Sequence, residues 1–364
     1  MAKNNIETVV AGSMLQSTAW FRNVATAAKD EYLLLVGKDG VSVDDSLLDG
    51  MLKAIPEDAC MCYSHYRKKI DGNIVDAPTI DWQPGSLRND FDFGPVILFR
   101  VDALKAYAGM ELDEFEYAGF YQLRLAMERL GKIYHHQEYV YTVDEDDTRK
   151  SGEKQFDYVN PRNRDVQIEM EKAFTLYLKD IKAHLKSNFK NPDLHSGDFE
   201  VEASVIIPVK NRVRTIKDAI RSVLAQETSF PFNLIVVDNH STDGTTEVIQ
   251  SYLNDERVVH LQPERTDLGI GGCWDMAINH PACGRFAVQL DSDDIYSGPQ
   301  TLQKIVDGFY EQGCAMLIGS YRITDFNLNT LPPGLIDHKE WPDENGHNNA
   351  LRINGLGAPR AFFP

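Results

Sequence analysis

No apolar run in this chain of 364 residues is long enough to cross a bilayer; Tyr32–Val36 and Val205–Val209 are typical of the longest. The N-terminus, Met1-Ala-Lys-Asn-Asn-Ile6, lacks the apolar stretch of a signal peptide. Cysteine is scarce, and the five residues present (Cys60, Cys62, Cys273, Cys283, Cys314) have no framework spacing. That excludes a disulfide scaffold and favours buried, reduced thiols in a cytosolic setting. On an alternating strand the thiols of Cys60-Met-Cys62 would share one face. Positive charge is also short: 37 Lys+Arg face 55 Asp+Glu, a net charge of −18. Such a chain is repelled by phosphate backbones and anionic lipid, which disfavours nucleic acid or a membrane surface as a bulk partner. A small anionic ligand stays open, because one divalent metal inverts the local field. What remains, 43% hydrophobic and 25% charged, is ordinary globular composition at a length that suits two or three domains.

The clearest organisation begins after residue 200. Ala203-Ser-Val-Ile-Ile-Pro-Val209 is a short apolar, β-branched run, as a buried parallel strand should be. Ile216, Ala219, Ile220, Val223 and Leu224 follow at helical spacing. A second buried strand, Asn233-Leu-Ile-Val-Val237, enters the polar turn Asp238-Asn-His-Ser-Thr-Asp-Gly244. A helix carrying Val248, Ile249 and Tyr252 then leads to a third strand, Arg257–Leu261. This alternation predicts an α/β unit with a mostly parallel sheet covered on both faces. Right-handed crossovers place the loops after Val209 and Val237 together at the carboxyl edge, where such sheets take ligands.

Upstream, Met170, Phe174, Tyr177, Leu178, Ile181 and Leu185 form one apolar stripe, which predicts a helix over about Asp165–Leu185 bracing a neighbouring domain. Residues 186–197 read as a linker. The first 150 residues hold a weak internal repeat. Laying Tyr32–Val41 over Phe286–Ile295 brings Trp20 onto Trp274, Leu48 onto Leu302, Met51 onto Ile305 and Leu52 onto Val306. Further on, Gly94-Pro-Val-Ile-Leu-Phe99 is loosely similar to Gly357-Ala-Pro-Arg-Ala-Phe362. The expectation is parts of two similar domains.

Asp291-Ser-Asp-Asp294 ends the apolar run Phe286–Leu290. Carboxylates two apart point to opposite faces of a strand but can converge at a strand end, and convergent carboxylates suit a hard cation such as Mg²⁺ or Mn²⁺. Taken alone, a solvated acidic turn explains them as well. Three segments precede them in order: Ser204-Val-Ile-Ile-Pro-Val-Lys-Asn211, Ile235-Val-Val-Asp-Asn-His-Ser-Thr-Asp-Gly-Thr245 and Asp267-Leu-Gly269. The series resembles the family-2 glycosyltransferases, whose wording is close to S-V-I-I-P-x-Y-N, I-V-V-D-D-G-S-T-D-G-T, N-x-G and L-D-x-D-D over about residues 202–310. The resemblance implies a GT-A fold and a nucleotide-activated sugar. It implies that Pro208, Val209 and Asn211 line a base pocket and that Asp238 accepts the uracil N3–H. Asp238 also suits a capping role ahead of Ser241 and Gly244, and the two roles are compatible. Asp267 and Gly269 would complete the donor site, Asp291 would face ribose and sugar, and Asp291 with Asp293 would hold the metal.

Departures from the family wording are visible. Lys210 stands where Tyr is usual, Asn239-His240 replaces Asp-Gly, and Asp267 replaces Asn. Cys273-Trp-Asp275 replaces A-R-N, so an expected Arg is missing, which Arg212 or Arg265 would replace. In the first copy Gly37 and Gly40 take the positions of Asp291 and Asp294, leaving Asp39. Phe120-Tyr-Gln-Leu-Arg-Leu-Ala126 resembles the family's E-D-Y-D-L-W-L-R-L helix, with Tyr117-Ala118 in place of Glu-Asp and Glu114 and Glu116 out of register. In the second copy, the family pattern puts the catalytic base beyond Pro364, so the chain is expected to be a fragment. Asp325, Asp337, Asp343 and Glu344 are late acids with nothing to distinguish them. His338 and His347 read as loop histidines more readily than as metal ligands.

These readings give a degenerate partial GT-A-like unit over residues 1–155, a helical brace and linker over 156–198, and a nucleotide-sugar-binding GT-A domain over 199–364. The resemblance implies an inverting, metal-dependent transfer from a UDP-sugar to a hydroxyl acceptor in glycan or polysaccharide synthesis, with Mn²⁺ or Mg²⁺ as cofactor. The alternatives are a non-catalytic nucleotide-sugar or glycan binding module, and a sugar nucleotidyltransferase, which would want a Gly-rich loop where Val209-Lys-Asn-Arg212 stands. The expected setting is cytoplasmic, including the inner face of a membrane, and association with a second copy is open.

Overall fold

A computed structural model describes residues 5–144, 164–338, 344–353 and 360–364. The chain divides into two compact units, one of residues 1–187, 331–333 and 338–355, the other of 188–330, 334–337 and 356–364. Both are mixed α/β, in line with the expected fold class.

In the first unit the strands are β1 (Ile6–Val10), β2 (Tyr32–Val36), β3 (Val41–Val43), β4 (Ala59–Ile70), β5 (Asn73–Ala77), β6 (Val96–Arg100) and β7 (Lys132–Asp144). Their order is β1-β2-β6-β4-β7-β3, with β5 hanging from β4. β2 is apolar at every position, so both of its faces need cover. Leu33 and Leu35 pack with Phe21 and Ala25 of helix Thr18–Ala27 and with Leu104 of helix Val101–Ala108. Leu34 and Val36 pack on the other face with Met51 of helix Asp45–Ala54.

Helix Gly119–Leu130 sets Tyr121 and Leu125 against Met170, Phe174 and Leu178 of helix Arg164–Asp180. This second helix is shorter than its apolar stripe suggests. Ile181 and Leu185 lie beyond it and are exposed. Lys182 turns into the left-handed region (φ 61°) and the Ala183 N–H donates to Leu178 O at 2.8 Å, which closes the helix end.

All five cysteines are free thiols, and all but Cys314 are buried. Cys60 and Cys62 do not share a face: Cys60 packs with Leu33 and Met61, Cys62 with Leu34 and Leu98. The β4–β7 pairing shifts register between Ala59 and Met61, and that irregularity breaks the alternation assumed from sequence.

In the second unit the strands are β8 (Ala203–Val209), β9 (Phe232–Asp238), β10 (Val258–Leu261), β11 (Phe286–Gln289), β12 (Met316–Ile318), β13 (Tyr321–Thr324), β14 (Thr330–Ile336) and β15 (Arg360–Phe362). The main sheet runs β10-β9-β8-β11-β15-β12, parallel from β10 to β11, with antiparallel β15 and β12 beyond; β13 and β14 form a separate pair. Val205, Ile207 and Val236 pack with helices Ile216–Leu224 and Thr301–Gln312. Ile206, Ile235 and Val237 pack on the opposite face with Cys273 and Ala277 of helix Ile270–Ile278. The continuous apolar runs read from the sequence are these doubly covered strands.

The two sheets share a pairing pattern. β2 lies between parallel β1 and antiparallel β6, and β6 pairs antiparallel with β4. β11 lies between parallel β8 and antiparallel β15, and β15 pairs antiparallel with β12. Trp20 and Trp274 sit on the helices before β2 and β11, and Leu48 and Leu302 on the helices after β3 and β11. Gly357, Ala358 and Pro359, one end of the looser sequence similarity, lie outside the described residues. Among the described residues no helix is long and apolar enough to cross a membrane.

Candidate active site

Because β8, β9 and β11 are parallel neighbours, their carboxyl ends open on one edge of the sheet. A cavity of about 380 Å³ lies there, lined by Pro208, Val209, Lys210, Arg212, Asn239, Ile270, Cys273, Asp291, Ser292 and Asp293. That volume is in the range of small-molecule sites. Of the residues carried over from the family resemblance, Pro208, Val209, Arg212, Asp291 and Asp293 meet in this cavity. Asn211, Asp238, Asp267 and Gly269 are not among its lining residues.

Asp238 ends β9 and has no exposed surface. One carboxylate oxygen accepts the Ser241 N–H at 3.0 Å and the other accepts the Thr246 hydroxyl at 2.5 Å. His260 Nε2 lies 3.7 Å from the second oxygen. Burial pushes the carboxyl up, but the hydrogen bonds from Ser241 and Thr246 outweigh it and leave the group below its ordinary value. Asp238 is thus the staple of the turn that follows β9. Asn211 has a similar local role: it takes φ 55°, and its Oδ1 accepts the Thr242 N–H at 2.7 Å. Arg212 N–H donates to Thr245 Oγ1 and Val213 N–H to Asp243, so the loops after β8 and β9 are bound into one rim.

The next residue, Asn239, faces the cavity. Its backbone N–H donates to Val209 O at 2.8 Å, and its Nδ2 donates to Leu268 O at 2.6 Å. With the amide held that way, Oδ1 is buried with no hydrogen-bond partner among the described residues. A buried, unpaired acceptor is expensive to leave so, and a ligand donor would satisfy it. Asp267 instead forms a two-pronged, exposed ion pair with Arg265 (2.9 and 2.8 Å), and Gly269 is the N-cap of helix Ile270–Ile278. That helix supplies Ile270 and Cys273 to the cavity wall.

The acidic end of the cavity holds Asp291, whose Oδ1 accepts from Gln289 Nε2 at 2.8 Å, and Asp293, 3.9 Å from Arg212 Nε. Asp294 beside them is pushed up to about 6, first by burial and then by the charges of Asp291 and Asp293. No group of three or more His, Cys, Asp or Glu is arranged to hold a metal ion among the described residues. Lys210, Asn239, Ile270, Cys273 and Ser292 are lining residues that motif matching did not select. Lys210 and Asn239 were visible only as departures from the family wording, and side-chain direction at the strand ends decides their place. Among the late acids, Asp325 closes its own turn by accepting from Asn327 and Asn329. Asp337 and Glu344 do not line the cavity, and Asp343 lies outside the described residues.

In the first unit the edge after β2 carries Gly37 and Gly40. A Cβ on Gly37 would lie 2.5 Å from Met14 Cε, and Gly40 takes φ +72°, so neither position admits an aspartate without rearrangement. Glu114 pairs with Arg22 at 2.6 Å. The Glu169 carboxylate accepts the N–H groups of Glu116, Tyr117 and Ala118.

Residues 204–360 match the family model described as glycosyl transferase family 2. TuaG of Bacillus subtilis (strain 168), named for teichuronic acid biosynthesis, is 33% identical over 121 residues, which are 33% of this chain and 46% of TuaG. The UDP-Glc:α-D-GlcNAc-diphosphoundecaprenol β-1,3-glucosyltransferase WfgD of Escherichia coli is 29% identical over 154 residues, 42% of this chain and 56% of that enzyme. The crystal structure of residues 1–349 of Staphylococcus aureus TarS is 28% identical, with 36% of this chain and 38% of that one covered and a TM-score of 0.31. The chain thus spans less than two thirds of these relatives. The motif order, the carboxyl-edge cavity and the family match agree: over residues 204–360 the chain is similar to the family-2 glycosyltransferases.

Proposed function

We propose that this protein is an inverting glycosyltransferase that moves a sugar from a UDP-sugar to a hydroxyl of a glycan acceptor. The cavity at the carboxyl edge of β8, β9 and β11 carries the reading. Its wall holds Asn239, whose Oδ1 has no hydrogen-bond partner among the described residues, with the cations Lys210 and Arg212 and the carboxylates Asp291 and Asp293. Uracil offers an N3–H to such an acceptor, and cations suit a diphosphate. The UDP-glucose donor in the name of WfgD supports the nucleotide. Base recognition therefore moves one residue, from Asp238 to Asn239, while Asp238 holds the turn.

The acidic end offers Asp291 and Asp293, two carboxylates on one cavity wall, the oxygen donors a hard divalent cation takes. Asp291 and Asp293 would hold Mn²⁺ or Mg²⁺, which supplies Lewis-acid stabilisation of the departing diphosphate. Lys210 and Arg212 orient the phosphates, and Ile270 and Cys273 wall the base from water. An acceptor hydroxyl, relieved of its proton by a carboxylate, attacks C1 of the sugar in line with the leaving group and inverts the configuration there. On the same reading residues 1–155 are a degenerate partial copy without donor chemistry, 156–198 brace and link, and 199–364 bind the donor.

The test is UDP release from a panel of UDP-sugars with Mn²⁺, with and without glycan acceptors. Acceptor-stimulated release from one donor supports the reading. UDP binding with no release from any donor would favour a binding module instead.

A further inference from the structure

The first unit carries a polar cluster that the glycosyltransferase reading does not use. It lies midway along β4. Leu98 of β6 pairs with Leu34 on one side and Cys62 on the other. The β4–β7 pairing shifts register on both sides of His65, and such irregularities collect where a sheet re-aims its side chains. His135 of β7 stacks flat on Tyr63 (centroids 4.6 Å apart, 7° between planes), and His65 meets its edge at 4.7 Å.

A strap, Thr79-Ile-Asp-Trp82, crosses these rings. Tyr63 Oη donates to Ile80 O at 2.6 Å. The Thr79 backbone N–H donates to His65 Nδ1 at 3.1 Å, and the Thr79 hydroxyl lies 2.9 Å from His135 Nε2. His135 Nδ1 lies 2.6 Å from Asp81 Oδ1, which Gln137 Nε2 also approaches at 3.3 Å. His135 Nε2 and His65 Nδ1 are 3.2 Å apart.

These contacts fix the protons. A backbone N–H only donates, so His65 Nδ1 carries a lone pair. The Asp81 carboxylate only accepts, so His135 bears a proton on Nδ1, and in the neutral ring Nε2 then carries the lone pair that meets the Thr79 hydroxyl. One threonine thus satisfies two neutral imidazoles. A proton added between the rings has a ready place, the 3.2 Å gap from His135 Nε2 to His65 Nδ1, with Asp81 as counter-ion. In that state the Thr79 N–H faces a nitrogen whose lone pair is taken, and its hydroxyl keeps only the Ser64 carbonyl, at 3.3 Å, as acceptor.

We propose that the His65–His135 pair is an acid-sensitive latch that holds the Thr79–Trp82 strap to β4 and β7 when neutral and releases Thr79 when it takes up a proton. The groups facing the pair are Asp81 from the strap, Tyr63 from β4, and His136 and Tyr139 from β7. Glu138 acts on His136, and Arg67, paired with Asp76 of β5, covers the Tyr139 ring. Burial first, then His135, lowers the His65 pKa, and Asp81 opposes this. The sign follows: in the unfolded chain His65 takes its proton at about pH 6.5, in the fold only below it. The latch therefore stabilises the fold above that pH and weakens as pH falls through the window beneath it.

The test is hydrogen exchange at the amides of residues 79–82 in the full chain between pH 7.5 and 5, corrected for intrinsic rates, beside NMR titration of both imidazoles. Protection at Thr79 should fall about tenfold per pH unit once below the His65 pKa. His65→Asn, which keeps an acceptor near Nδ1 without titrating, should be equally protected at pH 7.5 and lose the pH dependence. Thr79→Val removes the hydroxyl but keeps the backbone N–H that donates to His65 Nδ1, and should therefore retain the pH dependence of strap protection. Flat protection in the parent, an unchanged pH dependence in His65→Asn, or a strap that responds to Zn²⁺ at neutral pH but not to acid would overturn the latch.

Discussion

Asp238 and Asn239 are neighbours in the chain, yet their replacement by alanine should give opposite phenotypes. Asn239→Ala removes one neutral acceptor from the cavity. A net hydrogen bond of this kind is worth about 1 kcal/mol, so UDP affinity should weaken roughly fivefold. The Leu268 carbonyl also loses its donor, but that oxygen sits on a loop where water can replace it, and the melting temperature should move little. Asp238→Ala removes a buried carboxylate that serves the Ser241 N–H and the Thr246 hydroxyl. Two bonds to a charged acceptor, set against the burial of that charge, leave a loss of about 3 kcal/mol in stability. For a unit of this size that is a fall of roughly 6–12 °C in melting temperature. Calorimetric titration with UDP and Mn²⁺ and scanning calorimetry on the same samples separate the two. An Asp238→Ala protein that melts like the parent but no longer binds UDP would refute the assignment of base reading to Asn239.

Phe174 is fully buried between helices Arg164–Asp180 and Gly119–Leu130, so Phe174→Ala should destabilise the first unit by about 3–5 kcal/mol in urea unfolding. UDP affinity at 25 °C should stay unchanged while the protein is folded. Burial pushes the Cys60 thiol up to about 11. In the folded protein at pH 8 it should therefore resist iodoacetamide, and react only once urea opens the sheet. Rapid alkylation of Cys60 under native conditions would contradict its place in the core.

The doubly covered strands were legible because their chemistry is continuous. Val205–Val209 and Leu234–Val237 are apolar at every position, and no exposed strand tolerates that. The turn residues after them, and Asp291-Ser-Asp293, were legible through their order along the chain. Which side of a strand end faces the ligand was not. Asp238 and Asn239 are equally polar, and only the hydrogen bonds of Ser241, Thr246 and Leu268 decide which one turns inward. The alternation that put Cys60 and Cys62 on one face failed for a related reason, since a register shift leaves no mark in composition. The cluster of His65, Thr79, Asp81 and His135 was invisible altogether. Its members lie on two parallel strands and a connecting strap, with no spacing that pattern reading could join.

The measurement closest to the central claim is calorimetric titration of UDP into the intact chain with Mn²⁺, repeated with ADP and with two single variants. UDP should bind more tightly than ADP, and Asp293→Asn should abolish the Mn²⁺-dependent binding, because an amide cannot replace a carboxylate opposite a divalent cation. Asp39→Asn, in the turn after β2 of the first unit, should bind UDP like the parent. Equal affinity for UDP and ADP, or Mn²⁺-dependent binding that survives Asp293→Asn, would contradict a UDP-sugar site at the carboxyl edge of β8, β9 and β11.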